Sequence, residues 1–156
     1  MTTTTEELMW GRSAAPRLEL VGGFALLVAG TLIAMALTNV LAAEHPLRRV
    51  LHDIGLPLVL FYAPGGVTAI GGYLRCGATT CFVVGVLPAT AFAVAATVGA
   101  VLGVPGVGGG DAPLWSITLA FAAISLVFAT IGFTAGTGVR FIETRIRQGT
   151  SGPRDR

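Results

Sequence analysis

The sequence has few charged residues. Charged residues make up 12% of the 156 residues, hydrophobic residues make up 53%, and the mean hydropathy is +0.78. A soluble domain has about 25% charged residues, so this chain has about half of the charge that usually covers a protein surface in water. The low charge argues against an ordinary soluble domain and favours a protein that lies in a lipid bilayer.

Lysine is absent, and all ten basic residues are arginine. The lack of lysine, together with abundant alanine, glycine and valine, indicates a GC-rich coding sequence and a prokaryotic source, so we expect the protein in the cell membrane. The arginines are scattered and most frequent near the C-terminus, and they do not alternate with aromatic residues on one face. This distribution gives no support to nucleic-acid binding.

Four segments contain no Asp, Glu, Lys, Arg or His over about the twenty residues that a membrane-spanning helix needs. None of them shows the alternation of apolar and polar residues that is typical of a barrel strand. The sequence therefore predicts an all-α integral membrane protein. The predicted spans lie near residues 20–43, 54–74, 78–104 and 114–139.

These spans predict a simple domain organisation. Residues 19–140 are expected to form a four-helix transmembrane bundle, and residues 1–18 a short cytoplasmic segment before it. Residues 141–156 are expected to form a cytoplasmic juxtamembrane helix followed by a disordered tail, since the end of the chain is rich in Gly, Ser and Pro. Glu143 and Arg147, four residues apart, are placed to support that helix.

Arginine bias predicts the orientation of the termini. Five arginines follow the fourth span, whereas the glycine-rich loop at 106–113 has none, so the C-terminus is expected in the cytoplasm. If residues 54–74 span, the N-terminus is also cytoplasmic and Arg48 and Arg49 lie outside. If they form a re-entrant loop, the chain has three spans, and Arg12 and Arg17 lie outside. The arginine count is the same in both topologies.

The length of segment 54–74 favours a span. Its uncharged residues would form a helix of about 31 Å, close to the thickness of one bilayer core. A re-entrant loop would need protein around its non-helical backbone, and this chain has few helices to provide it. Pro64 removes a hydrogen bond to the carbonyl of Leu60, and glycines follow it directly, so we expect a kinked spanning helix.

No Asp, Glu, His, Lys or Arg side chain lies in the middle of any predicted span. Proton relays, ion coupling and intramembrane catalysis use such side chains, and the sequence offers no pair of nucleophile and base. We therefore expect a protein that is not an enzyme and that has no cofactor and no metal site. His45 and His52 are seven residues apart, but Pro46 interrupts their register, so they are interpreted as interfacial residues.

Two cysteines, Cys76 and Cys81, lie in one short stretch. Their spacing differs from the CxxC of redox and zinc motifs, and there is no second pair. On a helix they would point about 140° apart, although Gly77 would allow a bend that brings them together. Arg75 is expected to lower the pKa of Cys76. The sequence leaves open whether they are incidental, reactive, modified or metal-bound.

Small residues recur at a spacing of four in the third and fourth spans. This spacing lets helix backbones approach each other in lipid. It favours packing within the bundle or against another membrane protein or a second copy. The predicted packing residues are Ala95, Gly99, Gly103, Gly132 and Gly136.

These observations support two functional hypotheses. The first is a non-enzymatic protein of structural or accessory type whose partners are the lipid bilayer and another membrane protein or itself. The second is a small oligomeric transporter or channel for a neutral or hydrophobic solute, in which a helix break at Pro64 exposes backbone carbonyls to the substrate. Its predicted substrate-binding residues are Tyr62, Pro64, Gly65 and Gly66.

Overall fold

The computed structural model describes residues 9, 14–41, 46–103 and 113–150. Helix makes up 94% of these residues, and no strand occurs among them, so the all-α prediction is confirmed for this part of the chain. Most of the predicted segment 1–18, His45, the glycine-rich loop as far as residue 112 and the tail at 151–156 lie outside the described residues.

Four helical stretches are long and apolar enough to cross a membrane: Ala15–Thr38, Leu51–Tyr73, Ala78–Val101 and Leu114–Gln148. They correspond to the four segments predicted from the sequence. Two π-helical segments, Leu51–Gly55 and Leu58–Tyr62, precede the α-helix that begins at Ala63. The α-helices are α1 (Ala14–Leu41), α2 (Pro46–Val50), α3 (Ala63–Tyr73), α4 (Ala78–Val101) and α5 (Leu114–Thr150).

Two of these helices end three or more residues away from the end of the predicted span. Helix α4 ends at Val101, three residues before the predicted end of its span, and Gly103 then adopts a φ of +67°, which favours glycine over other residues. Helix α5 continues beyond Val139 to Thr150. Its extension is supported by the ion pair between Glu143 and Arg147, whose charged atoms are 2.6 Å apart.

The segment around Pro64 is a continuous helix. Its backbone is helical from Pro46 to Tyr73, with no reversal of direction. The N–H of Ala63 donates to the carbonyl of Leu58, five residues earlier, so a wide π turn directly precedes Pro64. A π turn is one way in which a helix absorbs a disturbed hydrogen-bond ladder. The irregularity predicted at Pro64 is therefore a local widening of the helix, and not an open break.

Helices α3, α4 and α5 form the most closely packed part of the molecule. Ring contacts join Phe61 to Phe121 near one end, and Tyr73 contacts Glu143 near the other, so α3 and α5 run parallel. Helix α4 runs antiparallel to α5, because Cys81 contacts Ala129 whereas Phe92 contacts Phe121. Helix α1 packs on α3 and α4 and, among the described residues, does not pack on α5.

The chain directions bring many arginines to one end of the bundle. The start of α1 lies there, since Leu20 packs at Gly71, and so do the turn between α3 and α4 and the extension of α5. We call this the arginine end, defined by five residues: Arg17, Arg75, Arg140, Arg145 and Arg147. The start of α1 and the end of α5 thus lie on the same side of the bundle, as four crossings require.

Candidate functional site

Glycines allow α3 and α5 to touch backbone to backbone. A Cβ added at Gly132 would overlap the carbonyl oxygen of Gly65, and one at Gly136 would overlap the carbonyl oxygen of Ala69. Real Cβ atoms essentially never come within 3.0 Å of such atoms. Both predicted packing residues of α5 therefore lie at the closest contact in the fold, and this contact is within the chain.

Two further glycines, which the sequence analysis did not single out, make similar contacts. A Cβ at Gly72 would lie 2.6 Å from the carbonyl oxygen of Phe133, and one at Gly85 would lie 2.9 Å from the side chain of Leu126. The signal for the first was present in the sequence, because Gly65, Ala69 and Gly72 follow the i, i+4, i+7 spacing of one helix face. Gly85 stands alone and has no such signal.

The packing residues predicted on α4 have different surroundings. Gly99 is buried on α4, whereas Ala95 is exposed. Gly103 lies past the end of the helix, and a Cβ placed there would meet nothing within 4 Å. Among the residues that the structure describes, Gly103 therefore ends a helix and does not pack against one.

A single backbone carbonyl joins α3, α4 and α5. The oxygen of Ala129 accepts the hydroxyl of Thr68 at 2.7 Å and the thiol of Cys81 at 3.2 Å. The hydroxyl of Thr68 also lies 2.7 Å from the carbonyl of Pro64, and its one hydrogen can serve only one of these acceptors at a time. Thr68, Cys81 and Ala129 are buried, so the arrangement cross-links three helices inside the bundle.

A buried serine lies one helical turn before Ala129. Ser125 is 1% exposed, and its hydroxyl is the one buried side-chain polar group without a hydrogen-bond partner in the described part of the chain. One turn earlier, the ring of Phe121 contacts Phe61 at 5.4 Å and Phe92 at 5.1 Å. The serine thus lies along α5 between an aromatic layer and the carbonyl of Ala129.

Both cysteines are buried and free of a disulfide. Cys76, in the turn before α4, is 1% exposed. Burial raises the pKa of its thiol, and Arg17 offsets this in part, so the nearby cation is Arg17 and not the predicted Arg75. A thiol with a raised pKa stays protonated at neutral pH, which does not favour nucleophilic attack or metal binding. The thiol of Cys81 instead donates to Ala129.

The four residues predicted to bind a substrate differ in their exposure. Pro64 is buried, and a Cβ on Gly65 would lie 3.1 Å from the carbonyl oxygen of Phe128. Tyr62 is 60% exposed, and a Cβ on Gly66 would meet nothing within 4 Å. Helix α5 thus lies against the backbone at Gly65, whereas Tyr62 and Gly66 are open.

The turn between α3 and α4 holds an arginine in the left-handed conformation. The N–H of Cys76 donates to the carbonyl of Gly71 at 2.9 Å, and that of Arg75 donates to Gly72 at 3.3 Å, which is the pattern of a Schellman motif. Glycine usually occupies the left-handed position, but here Arg75 has a φ of 59°. This conformation costs a residue with a Cβ about 1–2 kcal/mol.

Charged side chains tie the end of α3 to the extension of α5. The hydroxyl of Tyr73 donates to Glu143 at 2.8 Å, and Glu143 also binds Arg147. Arg140 donates to the backbone carbonyl of Tyr73 and lies 5.9 Å from the centre of its ring. This network closes the C-terminal end of α3, where carbonyls lack helical partners.

Within residues 14–41, 46–103 and 113–150, no three His, Cys, Asp or Glu side chains come close enough together to hold a metal ion. His52 and Asp53 are neighbours at 3.5 Å, and both side chains are well exposed. Such a pair alone is not a ligand set.

Comparison with protein-family models, curated proteins and solved structures gives no match to this chain. Its function is therefore argued from its own residues.

Proposed function

We propose that the chain is a small, non-enzymatic, multi-pass membrane protein of structural or accessory type. In this proposal it lies in the cell membrane of a prokaryote with both termini in the cytoplasm, and it binds a helix of another membrane protein, or of a second copy, through α1. The observation that carries the proposal is a set of glycines on α1 that no part of the described chain covers: Gly22, Gly23 and Gly30.

A glycine inside a helix lowers the stability of the helix, and this cost is explained where a neighbouring group needs the space that a Cβ would take. It destabilises a helix by about 1 kcal/mol relative to alanine. At Gly132 and Gly136 the close approach of α3 explains that cost, whereas a Cβ at any of the three glycines of α1 would meet nothing within 4 Å. A helix of a partner, approaching α1 as closely as α3 approaches α5, would give these glycines the same physical reason.

The α1 glycines also share a face with large apolar residues. Gly23 and Gly30 are seven residues apart, which is about two helical turns. Leu26 between them is 76% exposed, and Ile33 after them is 60% exposed. Small and large side chains that alternate along one face provide the holes and knobs by which helices interlock. We call residues Gly23, Leu26, Gly30 and Ile33 the α1 face.

The proposed location rests on the four apolar stretches, and the proposed orientation rests on charge. The arginine end contains five described arginines, whereas the opposite end contains Arg48 and Arg49. Cytoplasmic loops carry the excess of basic residues in membrane proteins. This rule supports a cytoplasmic position for the arginine end.

Leucine substitutions on the α1 face test the proposal. Gly23→Leu and Gly30→Leu should leave the fold intact, because both positions are open, but they should block a close helix partner. The tagged protein would be extracted from its own membranes in a mild, lipid-preserving system, and co-purifying proteins would be identified by mass spectrometry. Wild type should bring down a stoichiometric partner or a second copy, and both variants should lose it.

Gly138→Leu provides the matched control, since a Cβ at Gly138 on α5 also meets nothing within 4 Å. This variant should keep the partner. Retention of the partner by both α1 variants, or an equal loss in the control, would contradict the proposed role of the α1 face. The transport hypothesis stays a prediction; a homo-oligomer that co-purifies with a bound small molecule would favour it.

A further inference from the structure

We propose that the arginine end binds the anionic headgroups of membrane phospholipids, and that Arg75 and Arg145 are the side chains that contact the phosphate. This inference rests on the proposed membrane location but not on the role of the α1 face. The arginines at this end differ in their contacts.

Two arginines of the extension are already engaged. Arg140 donates to the carbonyl of Tyr73, and Arg147 pairs with Glu143. These contacts hold α5 against the end of α3. Engaged arginines of this kind have a structural task and are less available for a ligand.

Arg75 and Arg145 have no such task. The side chain of Arg75 is exposed and, among the residues that the structure describes, it has no hydrogen-bond or ion-pair partner. Arg145 is exposed and lies over the ring of Phe141 at 5.1 Å, with no carboxylate beside it in the same described residues. Their guanidinium groups keep a full charge and several free donors, and this planar fork matches a phosphate.

The backbone at Arg75 indicates that its side chain is there for a reason other than the turn. The left-handed position of this turn suits glycine, and the chain uses glycine freely, with 22 in all. Glycine at position 75 would relieve the strained backbone without loss of any described contact of the side chain. An arginine at this strained position, with no described contact inside the fold, points to a use for its charge outside the fold.

The depth and the charge of the arginine end identify anionic lipid as its ligand. Arg75 lies two residues after the apolar stretch that ends at Tyr73, so in a bilayer it would lie at the level of the headgroups. The five arginines of this end outnumber its two described glutamates, Glu19 and Glu143. A net positive surface at headgroup depth is complementary to anionic lipid, for which each arginine contributes about fivefold in binding.

The test compares lipid retention with fold stability. Wild type and variants would be placed in nanodiscs of phosphatidylcholine mixed with phosphatidylglycerol, then released into neutral detergent, and the lipids that stay bound would be counted by native mass spectrometry. Wild type should retain phosphatidylglycerol in preference to phosphatidylcholine. Arg75→Gly and Arg145→Gln should each lower that preference about fivefold, whereas Arg75→Lys should keep most of it.

A second readout separates lipid binding from folding. In neutral detergent without anionic lipid, Arg75→Gly should unfold at the same temperature as wild type or a higher one, because the strain in the turn is relieved. Arg49→Gln, at the opposite end of the bundle, is the matched control and should leave the lipid preference unchanged. Equal retention of both lipids by wild type, or an unchanged preference in Arg75→Gly, would overturn the proposal.

Two more outcomes identify other causes. If inorganic phosphate at matched ionic strength raises the unfolding temperature as much as phosphatidylglycerol does, and Arg75→Gly abolishes both effects, the site binds free phosphate and the lipid proposal is wrong. If the protein does not enter nanodiscs at all, both the proposed membrane location and the lipid proposal are wrong. A protein that enters nanodiscs and shows no lipid preference contradicts only this inference.

Discussion

At the scale of single residues, glycine has three different tasks in this chain. At Gly132 and Gly136 it removes a Cβ that would overlap a backbone carbonyl of α3. At Gly103 it adopts a positive φ after the end of α4. On α1 the glycines meet open space. Only the first task is a packing role inside the described fold. Substitution of a glycine should therefore change the stability of the protein by a different amount at each of these places.

Gly132→Ala should therefore destabilise the protein. The added methyl would force α3 and α5 apart at the carbonyl of Gly65 and disturb the hydroxyl of Thr68, at a cost of about 1–3 kcal/mol. The free energy of unfolding in detergent micelles measures this cost. Gly22→Ala is the matched control, and it should be neutral or stabilising by up to about 1 kcal/mol, because alanine is the better helix former. Equal destabilisation in both variants would argue against the described contact.

At the scale of helices, the stretch Leu51–Tyr73 shows how a proline is accommodated. The π-helical turn that ends at Tyr62 lets the chain reach Pro64 without leaving the helix. Pro64 itself is buried. The parallel alignment of α3 with α5 then places Tyr73 beside Arg140 and Glu143. Such an arrangement fits a helix that crosses from one side to the other.

Cysteine labelling tests that crossing. In a background in which Cys76 and Cys81 are replaced by alanine, Leu47→Cys and Leu74→Cys mark the two ends of this stretch, and both native side chains are about half exposed. An impermeant thiol reagent added to intact cells should label position 47, because it lies outside in the proposed topology. Position 74 should be labelled only after the cells are opened.

The pattern of labelling distinguishes the alternatives. Labelling of both positions from the same side would mean a re-entrant segment and three spans. The reverse pattern, with position 74 labelled from outside, would mean that four spans are correct and the arginine end faces out.

At the scale of the whole molecule, α1 is attached to a core formed by the other helices. Its contact is centred on Phe24 and Val28, which pack in one cluster with Val59 and Val84. Most of its other large side chains are exposed, including Leu18, Leu26 and Ile33. A helix that is held on one side and open on the other is suited to connect the core to a partner.

Phe24→Ala should weaken this attachment. Lipid is as apolar as the protein core, so most of the cost should come from lost packing, about 1–2 kcal/mol. Leu26→Ala, at a side chain that is 76% exposed, should change the free energy of unfolding by less than about 0.5 kcal/mol. Unfolding in mild detergent, followed by circular dichroism, compares the two variants. A loss at Leu26 as large as that at Phe24 would show that α1 docks through another face.

The sequence by itself determined the class of the protein. Low charge and four uncharged segments of sufficient length predict four apolar helices, and the structure contains them. The apolar helices begin and end within a few residues of the uncharged segments at most ends, because hydropathy and helix formation depend on neighbouring residues in the chain. The small-residue spacing of Gly132 and Gly136 was also visible in the sequence, since a helix repeats every 3.6 residues.

The tertiary structure alone decided which residues meet. Three observations depend on how distant segments pack: Gly132 contacts Gly65, the carbonyl of Ala129 is shared between helices, and the cation near Cys76 is Arg17. The sequence predicts Arg75 as that cation. The left-handed conformation of Arg75 also contradicts local preference and is held by the surrounding turn. Periodicity shows which face of a helix is small or apolar, but the partner of that face depends on the rest of the fold.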